Sequence, residues 1–166
     1  MNKGAEFSPC RRYRYSLLRT WQPAGGFAMF VGLNPSTADE TVDDPTIARC
    51  VAFSKAWGFG GLLMTNLFAY RATQPADMKA QADPVGPEND AYLVRLADQA
   101  QVVVAAWGTY GAFLGRDQQV RGLLGRKLHY LRLTKDGHPG HPLYLPGNLR
   151  PVEWTAGVCE STHRKG

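Results

Sequence analysis

Ala28-Met29-Phe30-Val31-Gly32-Leu33-Asn34-Pro35-Ser36 reads as an apolar strand that stops at a Gly-x-Asn-Pro turn. Such a stop delivers one polar side chain, Asn34, to a fixed point at the C-terminal edge of the strand. In open α/β sheets that edge is where ligands bind. What Asn34 can do therefore depends on whether later strands aim matching groups at the same edge.

Two further apolar runs fit that scheme. Leu62-Leu63-Met64-Thr65-Asn66-Leu67-Phe68 and Val102-Val103-Val104-Ala105-Ala106-Trp107 are continuous enough for strands buried on both faces. Leu128 to Leu133 supplies a fourth strand. Between them lie helical patterns. Asp44-Pro45-Thr46 opens a helix, with Asp44 as cap and Pro45 in the first helical position, followed by Ile47, Val51 and Ala52. Glu88 to Gln99 places Tyr92, Leu93, Leu96 and Ala97 on one face, and another helix covers Gln118 to Gly125. Thr73 to Pro87, with Pro75, Pro84 and Pro87, reads as a long surface loop.

Strands alternating with helices predict a three-layer α/β/α fold on a central, mostly parallel sheet of four to five strands. Tyr13 to Trp21 alternates apolar with polar residues, as a half-exposed strand does. The turn signal Pro23-Ala24-Gly25-Gly26 predicts a hairpin from it into Ala28–Leu33, adding an N-terminal antiparallel strand. Residues 1–158 are expected to form one domain and 159–166 a disordered tail.

A chain of 166 residues, 44% hydrophobic, suits one domain with a true core. No run approaches the roughly 18 apolar residues of a membrane span. Arg11, Arg12 and Arg14 interrupt any apolar N-terminal segment, which reads against a signal peptide. Cys10, Cys50 and Cys159 are odd in number and widely spaced. They suggest neither a disulfide framework nor a metal cluster, and a cytoplasmic setting is the expectation. The net charge of +5 favours a polyanionic partner. A monomer is expected.

Three polar features fall at three strand ends: Asn34, Asn66, and the pair His138 and His141 after the fourth strand. Parallel strands would gather them above one edge. A buried amide can read a pyrimidine edge with a donor and an acceptor. A histidine can donate to a carbonyl oxygen that gains charge as a base departs. A second asparagine can orient water. These are the parts for hydrolysing an N-glycosidic bond, and they imply no metal or redox cofactor.

Read in this order, the chain resembles the uracil-DNA glycosylase superfamily. The resemblance rests on Gly32-Leu33-Asn34-Pro35, on Gly61-Leu62-Leu63-Met64-Thr65-Asn66 with Tyr70-Arg71-Ala72-Thr73-Gln74, on Val103 to Tyr110 with its Trp107-Gly108, and on His138-Pro139-Gly140-His141-Pro142-Leu143. It runs from about residue 28 to 154. It implies an enzyme that flips a nucleotide out of DNA. Asn34 would position water, Asn66 would read the base, and His141 would stabilise the departing oxygen. His141 is preferred to His138 because Pro142-Leu143 follow it directly. Ser36, Phe68 and His138 complete the expected base pocket. Leu33–Ala38, Asp43–Thr46, Asn66–Thr73 and His141–Leu145 also resemble a widespread bacterial and phage family, a domain of unknown function numbered sixteen forty-three.

The chain departs from the uracil-specific pattern in two places. Many of those enzymes carry aspartate at the position of Asn34 and a tyrosine, which excludes a 5-methyl group, at that of Ser36. The more open wall suits a 5-substituted pyrimidine. Asp39, Glu40, Asp43 and Asp44 form an acidic patch that either caps the helix or supplies the missing carboxylate, with Asp39 and Asp43 the favoured catalytic candidates. Arg71, Lys135 and Arg150 flank the expected site as DNA-backbone contacts. Arg11, Arg12, Arg14 and Arg19 form either the solvent face of an edge strand or further phosphate contacts. Two other functions fit the same residues: a non-catalytic nucleic-acid or nucleotide-binding module, and a metal-dependent hydrolase using the Asp39–Asp44 patch.

Overall fold

In chain order the strands are β1 (Asn2–Phe7), β2 (Arg14–Thr20), β3 (Phe27–Gly32), β4 (Gly61–Asn66), β5 (Val102–Ala105), β6 (Leu128–Tyr130) and β7 (Val152–Glu153). The helices are α1 (Pro45–Ala56), α2 (Pro75–Lys79), α3 (Asn89–Gln99) and α4 (Arg116–Leu124). These come from a computed structural model in which residues 1–155 are described. The expected tail at 159–166, with Cys159, lies outside the described residues.

Among the described residues seven strands join one sheet in the order β1-β2-β4-β3-β5-β6-β7. Its centre, β4-β3-β5-β6, is parallel. β1 and β2 at one side and β7 at the other are antiparallel. The apolar runs fill the centre because those strands are covered on both faces. Period-2 alternation sends Ala28, Phe30, Leu62, Met64 and Val104 to one face, where Ile47, Cys50 and Phe53 of α1 meet them. Met29, Val31, Leu63, Val103 and Ala105 point the other way, onto Leu93 and Leu96 of α3 and Val120 and Leu124 of α4. The result is a three-layer α/β fold. Asp44 caps α1 as its sequence predicts, its carboxylate accepting from Ile47 N at 2.9 Å.

Several expectations are corrected. β2 forms no hairpin with β3; β4 lies between them. The β2–β3 connection instead crosses the start of β4, where Trp21 N and Gln22 N both donate to Gly60 O. A Cβ on Gly60 would stand 1.7 Å from Gln22 O, so glycine is needed for this crossing. β2 is also buried rather than half-exposed, because β1 covers its outer edge. Arg14 and Arg19 are accordingly interior, not a solvent face. Thr73–Pro87 contains the short helix α2. β6 stops at Tyr130, and Leu133 instead bridges to Pro139 across a turn.

Candidate active site

β3 and β4 run in register from Phe27↔Gly61 to Gly32↔Asn66, so both strands end level. Leu67 N then donates to Gly32 O, Phe68 N to Leu33 O and Ala72 N to Pro35 O. The two post-strand segments therefore travel together. Asn34 ties them further, its Nδ2 donating to Ala72 O at 2.8 Å and to Pro35 O at 3.1 Å. The donor end of this amide is thereby spent on backbone, which leaves Oδ1 as its acceptor.

Asn66 is 2% exposed and shares its strand face with Leu62 and Met64, on the α1 side. Its Nδ2 is buried without a hydrogen-bond partner. A Cβ on Gly32 would stand 2.8 Å from its Oδ1 and 2.9 Å from Met64 Cε, so the glycine makes room for the amide. From α3, Asn89 Nδ2 donates to the main-chain oxygens of Asn66 and Leu67, fixing the strand end from behind.

The His-Pro loop arrives from the other side. Gly108 N, just past β5, donates to Pro139 O at 2.8 Å. Arg49 of α1 donates from Nε to Pro142 O at 3.2 Å and from Nη2 to Leu145 O, clamping the short turn Pro142–Tyr144. Within it Leu143 N donates to His141 Nδ1 at 3.2 Å. A ring nitrogen that accepts carries no proton, so the neutral imidazole holds its hydrogen on Nε2. Burial pushes the His141 pKa below its ordinary value, against the opposing pull of Asp44, and favours this neutral form.

Asn34, Ser36, Asn66 and His141 line one cavity of about 600 Å³ at the C-terminal edge of the sheet. Trp107 lines it too, its Nε1 buried without a partner. The pocket also takes in Arg14 and Asp44, the latter being the one carboxylate among its described lining residues. Arg14 is 2% exposed, with Nη1 donating to Ala38 O at 3.1 Å and Nε buried without a partner. Burial lowers its pKa to about 10, so it stays charged at neutral pH. Tyr110 and Tyr144 stand exposed among the lining residues.

The remaining expected site residues lie elsewhere. Asp39 closes its own turn, accepting from Thr41 N and Val42 N. Asp43 pairs with Arg19 at 2.7 Å and Glu40 with Arg11 at 2.8 Å. The acidic patch is thus dispersed over separate partners, and among the described residues no three His, Cys, Asp or Glu gather as a metal site. Phe68 is wholly buried against Phe113, on the α3–α4 side of the sheet. His138 does not line the cavity; its backbone closes the Thr134–His138 turn. Arg71 donates to Arg11 O and lies over the Phe7 ring. Lys135 and Arg150 are exposed outside the cavity.

Arg49 was not singled out in the sequence, and Arg14 only as one of four arginines read either as an edge strand's solvent face or as phosphate contacts. Arg14 sits in a basic run whose ordinary meaning is solvent, and Arg49 looks like any helix arginine. Only the covering strand β1 and the facing Pro142–Tyr144 turn give them their roles.

Among the described residues no helix is long and apolar enough to cross a membrane. No curated protein and no solved structure matches the chain. Residues 14–143 match the family described as "Protein of unknown function (DUF1643)", a span that contains Arg14, Asn34, Ser36, Asp44, Asn66, Trp107 and His141, and the chain belongs to that family.

Proposed function

We propose that this protein hydrolyses the N-glycosidic bond of a pyrimidine nucleotide flipped out of DNA, in the manner of the uracil-DNA glycosylases. The observation that carries the reading is that Asn34 and Asn66, from the ends of β3 and β4, and His141, from the loop after β6, line the same cavity. Its volume of about 600 Å³ suits a small ligand held in a cleft.

Each group has a role its geometry supports. The Asn66 amide, rigid and with an unpartnered Nδ2, meets a base carbonyl with a donor and a ring N–H with an acceptor. Neutral His141, with its hydrogen on Nε2, donates to the carbonyl that becomes anionic as the base leaves. Asn34 Oδ1 orients water toward the sugar carbon. Asp44 sets a negative charge beside the developing oxocarbenium ion, although it is already engaged by Ile47 N and Ala38 N. Ser36 leaves space for a 5-substituent. Leu143 and Tyr144, exposed on the His141 loop, offer apolar surface to the gap left by an extruded nucleotide.

A second reading is a non-catalytic binding module. It is favoured by Asn34, whose amide already serves as a backbone tie and cannot take a proton. Both are tested by incubating the protein with single- and double-stranded DNA containing uracil, G·T mismatches or 5-hydroxymethyl pyrimidines, then cleaving at abasic sites. Base release that is lost in Asn34→Ala supports hydrolysis. Salt-sensitive binding without any release supports the binding module.

A further inference from the structure

Three buried arginines can be compared within this one fold. Arg19, 0% exposed, pairs with Asp43 and donates to the backbone oxygens of Gly4, Leu18, Asp39 and Val42. Arg116, 1% exposed, pairs with Asp90 at 2.6 Å and donates to Leu67 O and Gln119. Neither lines the cavity. Arg14 does, and it is the exception: one bond to Ala38 O, a buried Nε with no partner, and no carboxylate within ion-pair distance among the described residues.

Leaving a buried cation unpaired is strongly destabilising, so proteins normally give it an anion. Asp44 lies on the same cavity and its charge acts on Arg14, but its two oxygens accept from Ile47 N and Ala38 N and neither comes within ion-pair distance of the guanidinium. Two further buried N–H donors of the lining residues lack partners, Asn66 Nδ2 and Trp107 Nε1. Three N–H donors on residues that line the cavity are thus left without a partner in the described chain.

We propose that Arg14 is the core of an oxyanion subsite inside this cavity, and that the ligand carries a carboxylate or phosphate onto its guanidinium. A carboxylate would belong to a 5-substituted base, for which Ser36 leaves room. A phosphate would belong to the nucleotide. Arg14 Nη1 is anchored on Ala38 O, two residues beyond Ser36, so the subsite adjoins the wall a 5-substituent would meet. The pyrimidine part of this ligand rests on the glycosylase-like reading; the oxyanion part rests on Arg14.

Binding, not base release, tests it, so the two ideas can fail separately. Calorimetric titration would compare uridine, 5-carboxyuridine, uridine 5′-monophosphate and inorganic phosphate on the wild type, Arg14→Lys and Arg14→Met. At least one charged nucleoside should bind about tenfold or more tighter than uridine, as a charge-assisted hydrogen bond provides. Arg14→Met should erase that preference and Arg14→Lys should keep part of it. The tighter of the two charged nucleosides identifies the source of the oxyanion. Inorganic phosphate binding as well as the charged nucleosides would keep the oxyanion subsite and sink the pyrimidine reading. Equal binding of uridine and both charged nucleosides, no binding by any charged probe, or a preference that survives Arg14→Met would overturn the subsite. Should Arg14→Met fail to fold, nitrogen-15 arginine labelling of the wild type decides. The Arg14 Nε–H resonance must shift with the charged probe and not with uridine.

Discussion

Gly32 and Asn66 are register partners across the parallel pair β3–β4, and a Cβ on Gly32 would come within 2.8 Å of Asn66 Oδ1. The turn glycine is therefore a spatial requirement of the amide beside it. Its backbone is ordinary extended strand; what it supplies is volume.

Gly32→Ala is expected to push the Asn66 side chain or Met64 Cε aside. Overpacking of this kind costs about 1–3 kcal/mol, read as a lower denaturation midpoint in urea. Base recognition should suffer more than folding, because the displaced group is the one proposed to read the base. Gly32→Ala matching the wild type in both stability and ligand affinity would refute the spatial argument.

Asp44 and the pair Asp39 and Asp43 make opposite predictions. Asp44 lines the cavity, whereas Asp39 closes a turn and Asp43 balances Arg19. Asp44→Asn should reduce base release by about tenfold or more, through lost charge beside the sugar. Asp39→Asn should leave the rate near wild type. Asp43→Asn should lower the melting temperature, with an unchanged rate at temperatures where it is folded. A rate collapse in Asp39→Asn with Asp44→Asn unaffected would reverse this assignment.

Arg49 holds the His-Pro loop on α1 through two main-chain oxygens. Arg49→Ala is expected to free the Pro142–Tyr144 turn and with it His141. A hydrogen bond to a charged group contributes about 1.5–3 kcal/mol, so a measurable loss of stability should accompany a fall in kcat. Arg49→Lys reaches one carbonyl at best and should rescue only part of kcat. Full rescue by lysine would show that charge, not the two-point clamp, matters.

The parallel centre and the residues at its edge were legible because both signals are local. Uninterrupted apolar runs marked β3, β4 and β5, and a polar residue where each run broke marked Asn34 and Asn66. Strand order was not local. Nothing within Tyr13–Trp21 says that β4 rather than β3 is its partner. β1 has no apolar run, being a partly exposed edge strand, and β7 has two residues. Missing β1 made β2 look like an edge and its arginines like surface charge. The error over Arg14 follows directly from that. Asp44 was read correctly as a cap, and the cap reading drew attention from its second aspect, the cavity wall.

pH should act on this protein through His141. Its pKa is lowered by burial, from an ordinary 6.5, so the unfolded chain binds a proton more readily than the folded one. Stability from this residue is therefore fully present above the unfolded value, and is lost as pH falls from about 6.5 through the folded pKa. Activity should fall in the same direction. Protonation puts a hydrogen on Nδ1, which then repels Leu143 N–H and undoes the turn. Base release plotted against pH should thus be flat above neutrality, with an acidic limb whose pKa lies below 6.5. In His141→Gln, which cannot titrate, base release should be slower throughout and that limb should vanish. Ring nitrogen-15 shifts of His141 give a second readout, independent of any substrate. They should report the Nε2–H tautomer at neutral pH and titrate with the same midpoint as the acidic limb of the free enzyme. A His141 already protonated at pH 7 would lack the Nδ1 acceptor that holds Leu143 N–H, and a neutral one carrying its hydrogen on Nδ1 would lack the Nε2 donor proposed to meet the departing base.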